Sequence, residues 1–435
     1  MRVYHGGRSQ PHRARERALT TAEVDVTLVV PICWPEGGGE EVLSSESFPI
    51  VELPVRRSGD VNRHAYTDST RLARLLRDVS PDVFDIHEEP FSVAARQWLA
   101  AAPPDLPVVM YAAQNLDKRF PPPFSHYERA AHRRVASLYP CSAQAASVAR
   151  GKGFAGPIEV LPLGYDDAVF FPGAQSLAED EVVLALAGRL VPEKGVADAV
   201  DVVARVNAAR PARLVIVGNG PEEEHARAQA VALGVANRVE LVPWQTPAVL
   251  AETYRRAHVV LVPSRTTASW VEQFGRVIVE AQASGAVVAG YSSGTIADVA
   301  GPPGITVPEG DVDSLARAVA AVLADPADFA HRRDMGIALA ATRTWAQVAE
   351  RQVNLYRRVV AGDVPRARLP SSPRRRRELA RAEFGPTVAT TAGSRPFALP
   401  LLRRGSIIAS ALARILDAAA ELSAAFVSRM GTSRQ

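Results

Sequence analysis

Short apolar runs alternate with helical patterns along most of this 435-residue chain, and few architectures accept that alternation. Arg2–Tyr4, Val26–Val30, Phe48–Leu53, Val83–His87, Val108–Ala112 and Ile158–Leu161 read as strands in the first half. Helical patterns lie between them: a basic stretch after the first strand, then Asn62–Val79 and Ser142–Gly151. The second half continues with Val182–Ala187, Leu214–Val217, Val239–Val242, Val259–Val262, Val287–Ala289 and Ile305–Val307. Repeated strand–helix units build parallel sheets covered on both faces, so the fold class is α/β. The chain is long enough for two doubly wound domains with separate cores. LPLGYDDAVFFPG (161–173), rich in turn residues, is the expected hinge, and a cleft between the domains is the expected ligand site.

Two cysteines, Cys33 and Cys141, allow no disulfide framework or zinc quartet, and they read as reduced thiols of a cytoplasmic protein. The N-terminal stretch lacks the apolar core of a signal peptide, and no run of 18 apolar residues predicts a membrane span. The basic residues are 47 arginines and three lysines, Lys118, Lys152 and Lys194, so each lysine stands out against an arginine default. Residues 363–435 hold 13 arginines against five acids, a net +8 that leaves 1–362 at −5 beneath the overall +3.

The most informative stretch is SRTTASWVEQFGRVIVEAQASGAVVAGYSSGTIADVAG, residues 264–301. A buried strand ends at Pro263, and a helix opens near Gly275. The first turn of a helix presents unpaired N–H groups and the positive end of its dipole, a socket for phosphate. Glu272 and Glu280, eight apart, flank that socket. Two carboxylates there would repel a bare anion but accept well from hydroxyls, so a nucleotide sugar suits the site.

This block resembles the E-x7-E signature of the family 4 glycosyltransferases of GT-B fold. The resemblance covers residues 1 to about 360 and is most specific in 187–195 and 264–301. It implies two Rossmann-like domains facing a cleft: 1–165 for the acceptor, 166–343 for the nucleotide sugar, and a helix over 344–362 crossing back to the first domain. By the same resemblance Glu272 contacts the donor sugar, the amides around Phe274 and Gly275 hold the diphosphate, and Glu280 takes the ribose. Ala187–Gly195 (AGRLVPEKG) resembles the family's GR-x4-KG element, which assigns Arg189 and Lys194, beside Gly188, to the donor phosphates. Gly218, in the strand–glycine turn VGNGPE, falls near the donor site, although a tight packing turn explains it as well. The expected activity is retaining transfer from a UDP- or GDP-type sugar, without a cofactor or metal. The acceptor is an unidentified glycan, lipid-linked or small molecule of cell-envelope or glycoconjugate biosynthesis.

On the acceptor side Gly6 and Gly7 resemble the family's glycine loop. His87 and Glu89 end a strand and are read either as acceptor contacts or proton relay, or as a structural strand end; the HExxH spacing is absent, so no metal is expected. Gln114 and Asn115 stand where many family members place a histidine, which puts an imidazole-assisted step in doubt but leaves amides to orient hydroxyls.

Two rival readings stand beside this one. Gly290–Gly294 (GYSSG) matches the nucleophile elbow of α/β-hydrolases, with Ser292 as nucleophile and Asp311 or Asp313 and His331 completing a triad. The chain could also be a nucleotide-sugar-binding scaffold without turnover. Residues 363–435 are expected to be an Arg-rich linker, unstructured over Pro365–Arg377, then an amphipathic helix. Its stripe is Ile408, Leu412, Ile415, Ala419, Leu422 and Phe426. Basic flanks suit an anionic membrane surface at the inner face, and the balanced polar face suits docking or self-association. The arginine cluster lacks stacking aromatics, which argues against nucleic acid.

Overall fold

The computed structural model describes residues 1–35, 43–178 and 181–387. The apolar stripe over 408–426 lies outside the described residues. Two six-stranded parallel sheets form the frame, in the doubly wound arrangement expected.

The first sheet uses β1 (Arg2–Val3), β2 (Leu28–Pro31), β3 (Ile50–Leu53), β6 (Phe84–Ile86), β7 (Val108–Ala112) and β8 (Ser137–Pro140). The short β4 (Val55–Arg56) and β5 (Ala65–Tyr66) pair antiparallel beside it. The second sheet uses β9 (Val182–Ala187), β10 (Ala212–Val217), β11 (Val239–Val242), β12 (Val259–Val262), β13 (Val287–Tyr291) and β14 (Ile305–Val307). Strand orders are β3-β2-β1-β6-β7-β8 and β11-β10-β9-β12-β13-β14. Each sheet therefore reverses direction once, between β1 and β6 and between β9 and β12, and the crevice beyond the strand ends at such a point is where ligands bind. The same topology recurs without a repeat visible in the sequence.

Several expectations need correction. A helix was expected from Asn62, but Ala65 and Tyr66 form β5, and the helix Ser69–Val79 begins where Asp68 accepts from the N–H groups of Thr70 and Arg71. Ile158–Leu161 is no strand of its own: it runs along β8 with one bridge from Ile158 to Leu138, and the Glu159 and Leu161 N–H groups donate to the Leu138 and Pro140 carbonyls. Residues Pro365–Arg377 are not all unstructured, because Pro373–Phe384 is a helix that packs on Ala143–Gly151. Ala380 is buried there, Arg150 pairs with Glu383 at 2.9 Å, and Arg377 with Asp117 at 2.7 Å.

The helix Trp345–Val360 is capped by Thr344 and lays Ala349, Val353, Leu355, Tyr356 and Val359 into a core shared with Leu19, Leu28 and Tyr139 of the first domain. A buried polar network holds it there. Asp85 accepts from Arg2, from the Tyr139 and Tyr356 hydroxyls, and from Gln352 Nε2 at 2.7 Å, while Arg2 also reaches Glu16 at 2.5 Å. Where the chain returns, the Tyr165 N–H donates to the Arg343 carbonyl and its own carbonyl accepts from the Trp345 N–H, so the outgoing 161–173 segment and the incoming helix are tied together.

Candidate active site

Most candidate loops leave a strand beside one of the two switch points, and those carrying Gln114 and Gly218 leave β7 and β10, one strand further out. On the second sheet, β9 leads into Gly188–Gly195 and β12 into the loop that carries Glu272. Gly188 and Gly218 meet back to back: a Cβ on Gly218 would sit 1.9 Å from the Gly188 carbonyl oxygen, and both have φ near the edge of the left-handed range, 149° and 146°. Bare backbone is needed at that crossing, so Gly218 serves the close approach of the two strand ends.

Lys194 and Glu272 come from separate loops and meet at 2.6 Å. Glu272 also accepts from Ser264 Oγ at 3.3 Å, and the Lys194 ammonium lies 5.0 Å from the Trp270 ring centre. Gly275, with φ 74° and ψ 63°, caps the helix Arg276–Ala283 in the left-handed conformation. Phe274 points into the core beside Ala113 and Cys141, so its side chain serves packing and only its backbone is left to meet a ligand there. Glu280 is buried in that helix and pairs with Arg276 at 3.1 Å. Burial holds its carboxyl above the usual carboxylate range, and Arg276 and His12 counter part of that rise. Arg189 is exposed on the loop after β9, and no contact among the described residues joins it to Glu272 or Glu280.

On the first sheet a cavity of about 420 Å³ opens at the switch point. Its wall includes Tyr4, Arg15, His87, Glu89 and Gln114, with Gln273 and Arg276 reaching in from the second domain. Lys194, Glu272 and Glu280 do not line it. His87 stacks on Tyr111 at 4.0 Å, and its Nδ1 accepts from Arg2 at 3.0 Å. Burial first, then the positive charge of Arg2, keeps this imidazole neutral. Burial pushes the Glu89 carboxyl up to about 7, against the pull of the Ala113 N–H, which donates to it at 2.9 Å. Glu89 Oε2 is buried without a hydrogen-bond partner. Gln114 accepts from Lys152 at 3.1 Å.

Gly6 and Gly7 lie in a short 3-10 turn and are buried. A Cβ on Gly6 would meet the Tyr4 ring at 2.6 Å, so close packing explains this glycine. Asn115 does not face the cavity: its Nδ2 crosses to the second domain and donates to the Glu272 carbonyl at 2.8 Å. Three further first-domain side chains do the same. Gln144 reaches the Gly294 carbonyl at 2.7 Å, Cys141 Sγ that of Gln273 at 3.9 Å, and Lys118 that of Ser269.

The hydrolase elements are not assembled. Ser292 is exposed after β13, the Asp311 carboxylate caps the helix Val312–Ala324, Asp313 pairs with Arg205 at 2.8 Å, and His331 is exposed on the helix Pro326–Ala341. Sequence reasoning passed over Arg276, Trp270, Gln273 and Arg15. Arg276 had a signal, four residues before Glu280 on one helix face; the other three are brought in by tertiary structure alone.

The family described as Glycosyltransferase Family 4 matches residues 16–169, and that described as Glycosyl transferases group 1 matches residues 170–339. The chain belongs to the glycosyltransferases of GT-B fold. The D-inositol 3-phosphate glycosyltransferase of Segniliparus rotundus is 35% identical over 219 residues, covering 47% of this chain and 48% of that protein. The chain thus spans about half the length of the curated relatives it matches. Sucrose-phosphate synthase from Thermosynechococcus elongatus superposes with a TM-score of 0.62 at 20% identity, over 83% of this chain and 98% of that one. Anabaena HepE, solved in complex with UDP and glucose, gives 0.61 at 16% identity, over 81% and 98%. At these identities the two structures show the fold.

Proposed function

We propose that the protein transfers a sugar from a nucleoside diphosphate donor, of UDP or GDP type, to an acceptor held in the cavity at the first switch point, with retention of configuration. The observation that carries the reading is the meeting of Lys194 with Glu272 beside the helix that opens at Gly275. In the donor complex Lys194 turns to the diphosphate, and Glu272, released from it, accepts from the sugar hydroxyls. Arg189, exposed one residue beyond Gly188, folds onto the same phosphates, and Glu280 takes the ribose hydroxyls beside Arg276.

The bond from the anomeric carbon to the phosphate oxygen breaks as the acceptor oxygen approaches from the same face. The acceptor proton passes to the departing phosphate. Charge accumulates on the diphosphate during this step, and fixed cations and helix N–H groups are most effective there because they need no rearrangement. As the family implies, this transfer uses no metal.

The acceptor carries an anionic group. Arg15 lines the cavity, is buried, and its Nη1 has no hydrogen-bond partner among the described residues. Its Nη2 donates to the Pro162 carbonyl at 3.4 Å and its guanidinium lies 5.0 Å from the Trp345 ring centre, but no carboxylate pairs with it among the described residues, and a buried guanidinium without a counter-charge is costly unless a ligand supplies one. The phosphorylated acceptor in the name of the D-inositol 3-phosphate glycosyltransferases is one member of that class.

A thermal-shift panel of nucleoside diphosphates and nucleotide sugars, followed by donor-turnover assays on the hits, tests the proposal. One nucleotide series should raise the melting temperature, and its sugar form should be turned over slowly by water and faster with phosphorylated polyol acceptors. Binding without turnover across such a panel favours the scaffold reading, and no binding by any member rejects both.

A further inference from the structure

Beside the acceptor cavity, three potential ligands converge from three separate segments. His5 follows β1, His64 ends the turn before β5, and Glu88 follows β6. One ligating atom from each lies within 4.8 Å of the others. His5 Nδ1 is 2.7 Å from Glu88 Oε2, and His64 Nε2 is 3.9 Å from Glu88 Oε1.

The tautomer of His64 makes this arrangement unusual. Its Nδ1 lies 3.1 Å from the Asp60 carbonyl oxygen, which can only accept, so Nδ1 carries the proton. The lone pair is then on Nε2, which is buried without a hydrogen-bond partner and faces the Glu88 carboxylate. Two electron-rich atoms confront each other in a region closed by Trp34, whose ring lies 4.5 Å from that of His5 and 4.9 Å from that of His64. A buried lone pair facing a carboxylate calls for a cation between them.

We propose that His5 Nδ1, His64 Nε2 and the Glu88 carboxylate bind one borderline divalent transition-metal ion, of which zinc is the type. Two imidazoles and one carboxylate are a common ligand set for such an ion, leaving a fourth position for water or a ligand group. A tetrahedral ion at bond lengths of about 2.1 Å separates its ligands by roughly 3.4 Å, between the two distances found here. Binding replaces the proton shared by His5 and Glu88, and the bond from His64 Nδ1 to the Asp60 carbonyl is the outer contact that fixes a ligating imidazole. His5 and Glu88 line the cavity, and the His5 side chain is 18% exposed, which gives the ion a route in. The ion ties the loop after β1 to the end of β6 and to the Asp60–His64 turn, which makes it a clasp on the cavity wall rather than a participant in donor chemistry.

The test uses the full chain without an affinity tag. Zinc content after dialysis, competition with a chromophoric chelator, and visible absorption on cobalt(II) addition are measured for wild type, His5→Ala, His64→Ala and Glu88→Gln. Wild type should take up one zinc per chain and give the intense visible bands of four-coordinate cobalt. Each substitution should weaken zinc binding by at least about 100-fold, beyond the 10- to 100-fold typical for loss of an outer contact. Circular dichroism and nucleotide binding at the distant donor loops report on folding and do not depend on the ion. If wild type shows no saturable uptake and no such cobalt bands, the proposal fails, whatever the variants do. It also fails if folded His64→Ala and Glu88→Gln bind zinc as tightly as wild type.

Discussion

Replacing Lys194 by Met is the perturbation that bears most directly on the donor site. The side chain keeps its stem and loses its charge. Lys194 is 20% exposed and its partner Glu272 9% exposed, so the pair sits in a partly desolvated pocket. At an effective dielectric near 20, a unit charge about 4 Å from the departing diphosphate contributes about 4 kcal/mol at most. The ground-state donor already carries charge, so only the share that develops during bond breaking affects kcat. Loss of one preorganised charge contact of this kind costs about 100- to 1000-fold, or roughly 2.7–4 kcal/mol. Lys194→Met also leaves Glu272 facing the phosphates without its partner, which should raise the KM for donor. The assay is release of nucleoside diphosphate from the donor that the thermal-shift panel identifies, with and without acceptor. A double variant, Lys194→Met with Glu272→Gln, separates the two effects. If Glu272 serves only as a counter-ion, the double variant is no worse than Lys194→Met alone; if it holds sugar hydroxyls, it is clearly worse. A kcat for Lys194→Met within about 10-fold of wild type would refute the electrostatic argument.

Asp85→Asn leaves the fully buried Arg2 with Glu16 as its remaining carboxylate partner in the network and should cost about 3–5 kcal/mol in urea unfolding; a loss below about 1 kcal/mol would mean the network does not hold the returning helix. Asn115→Ala removes the bond that crosses to the Glu272 carbonyl, worth about 0.5–1.5 kcal/mol, so donor-turnover kcat/KM should fall roughly 2- to 10-fold with the fold intact; unchanged kinetics would show that the loop holds itself. His132 is buried and its pKa is lowered by burial from 6.5 to about 3, so between those values the unfolded chain binds a proton that the native state does not. Stability is therefore lost as pH falls from 6.5 towards 3, by about 2.7 kcal/mol at pH 4.5, and His132→Gln should abolish that part of the difference between urea curves at pH 7.5 and 4.5. Ending the chain at residue 362 strips the helix Pro373–Phe384 from Ala143–Gly151, which should lower Tm by roughly 2–4 °C per kcal/mol lost while donor hydrolysis persists. An unchanged Tm would show that this helix adds no stability.

Both sheets were legible because their strands are continuous apolar runs, the pattern of strands buried on both faces. β8 escaped notice because Ser137-Leu138-Tyr139-Pro140 is no such run, and its Tyr139 hydroxyl is accommodated by Arg2, Asp85 and His87 from other strands and their ends. The helix Pro373–Phe384 was hidden for a related reason: four consecutive arginines look solvated until Asp117 and Glu383 are seen to pair across to it and from it. The lysines carried more than composition suggests. Lys118 lines the cavity, Lys152 holds Gln114, and Lys194 meets Glu272, so all three occur around the cleft, beside Arg2, Arg15 and Arg276 in the cavity wall. Gln114 and Asn115, adjacent in sequence and read together as sugar-facing amides, part company because successive residues leaving a strand point to opposite sides. Gln114 stays with the cavity, and Asn115 turns to the other domain.

That divergence bears on how the two domains cooperate. Asn115, Lys118, Cys141 and Gln144 all belong to the first domain, and all donate to backbone carbonyls between Ser269 and Gly294. Side chains of one domain thus hold the main chain of this loop in the other, leaving the Glu272 carboxylate to Lys194 and Ser264 and, on the proposed function, to the sugar. Three of these bonds at about 0.5–1.5 kcal/mol each, the long thiol contact adding little, set a cost of roughly 1.5–4.5 kcal/mol for parting the domains at this edge. A bulky donor that enters by parting them must meet that cost, and closure over the donor recovers it. On the proposed function, closure would also return the loop to the position in which Glu272 and the helix end at Gly275 face the donor, so water exclusion and assembly of the donor site would occur as one event.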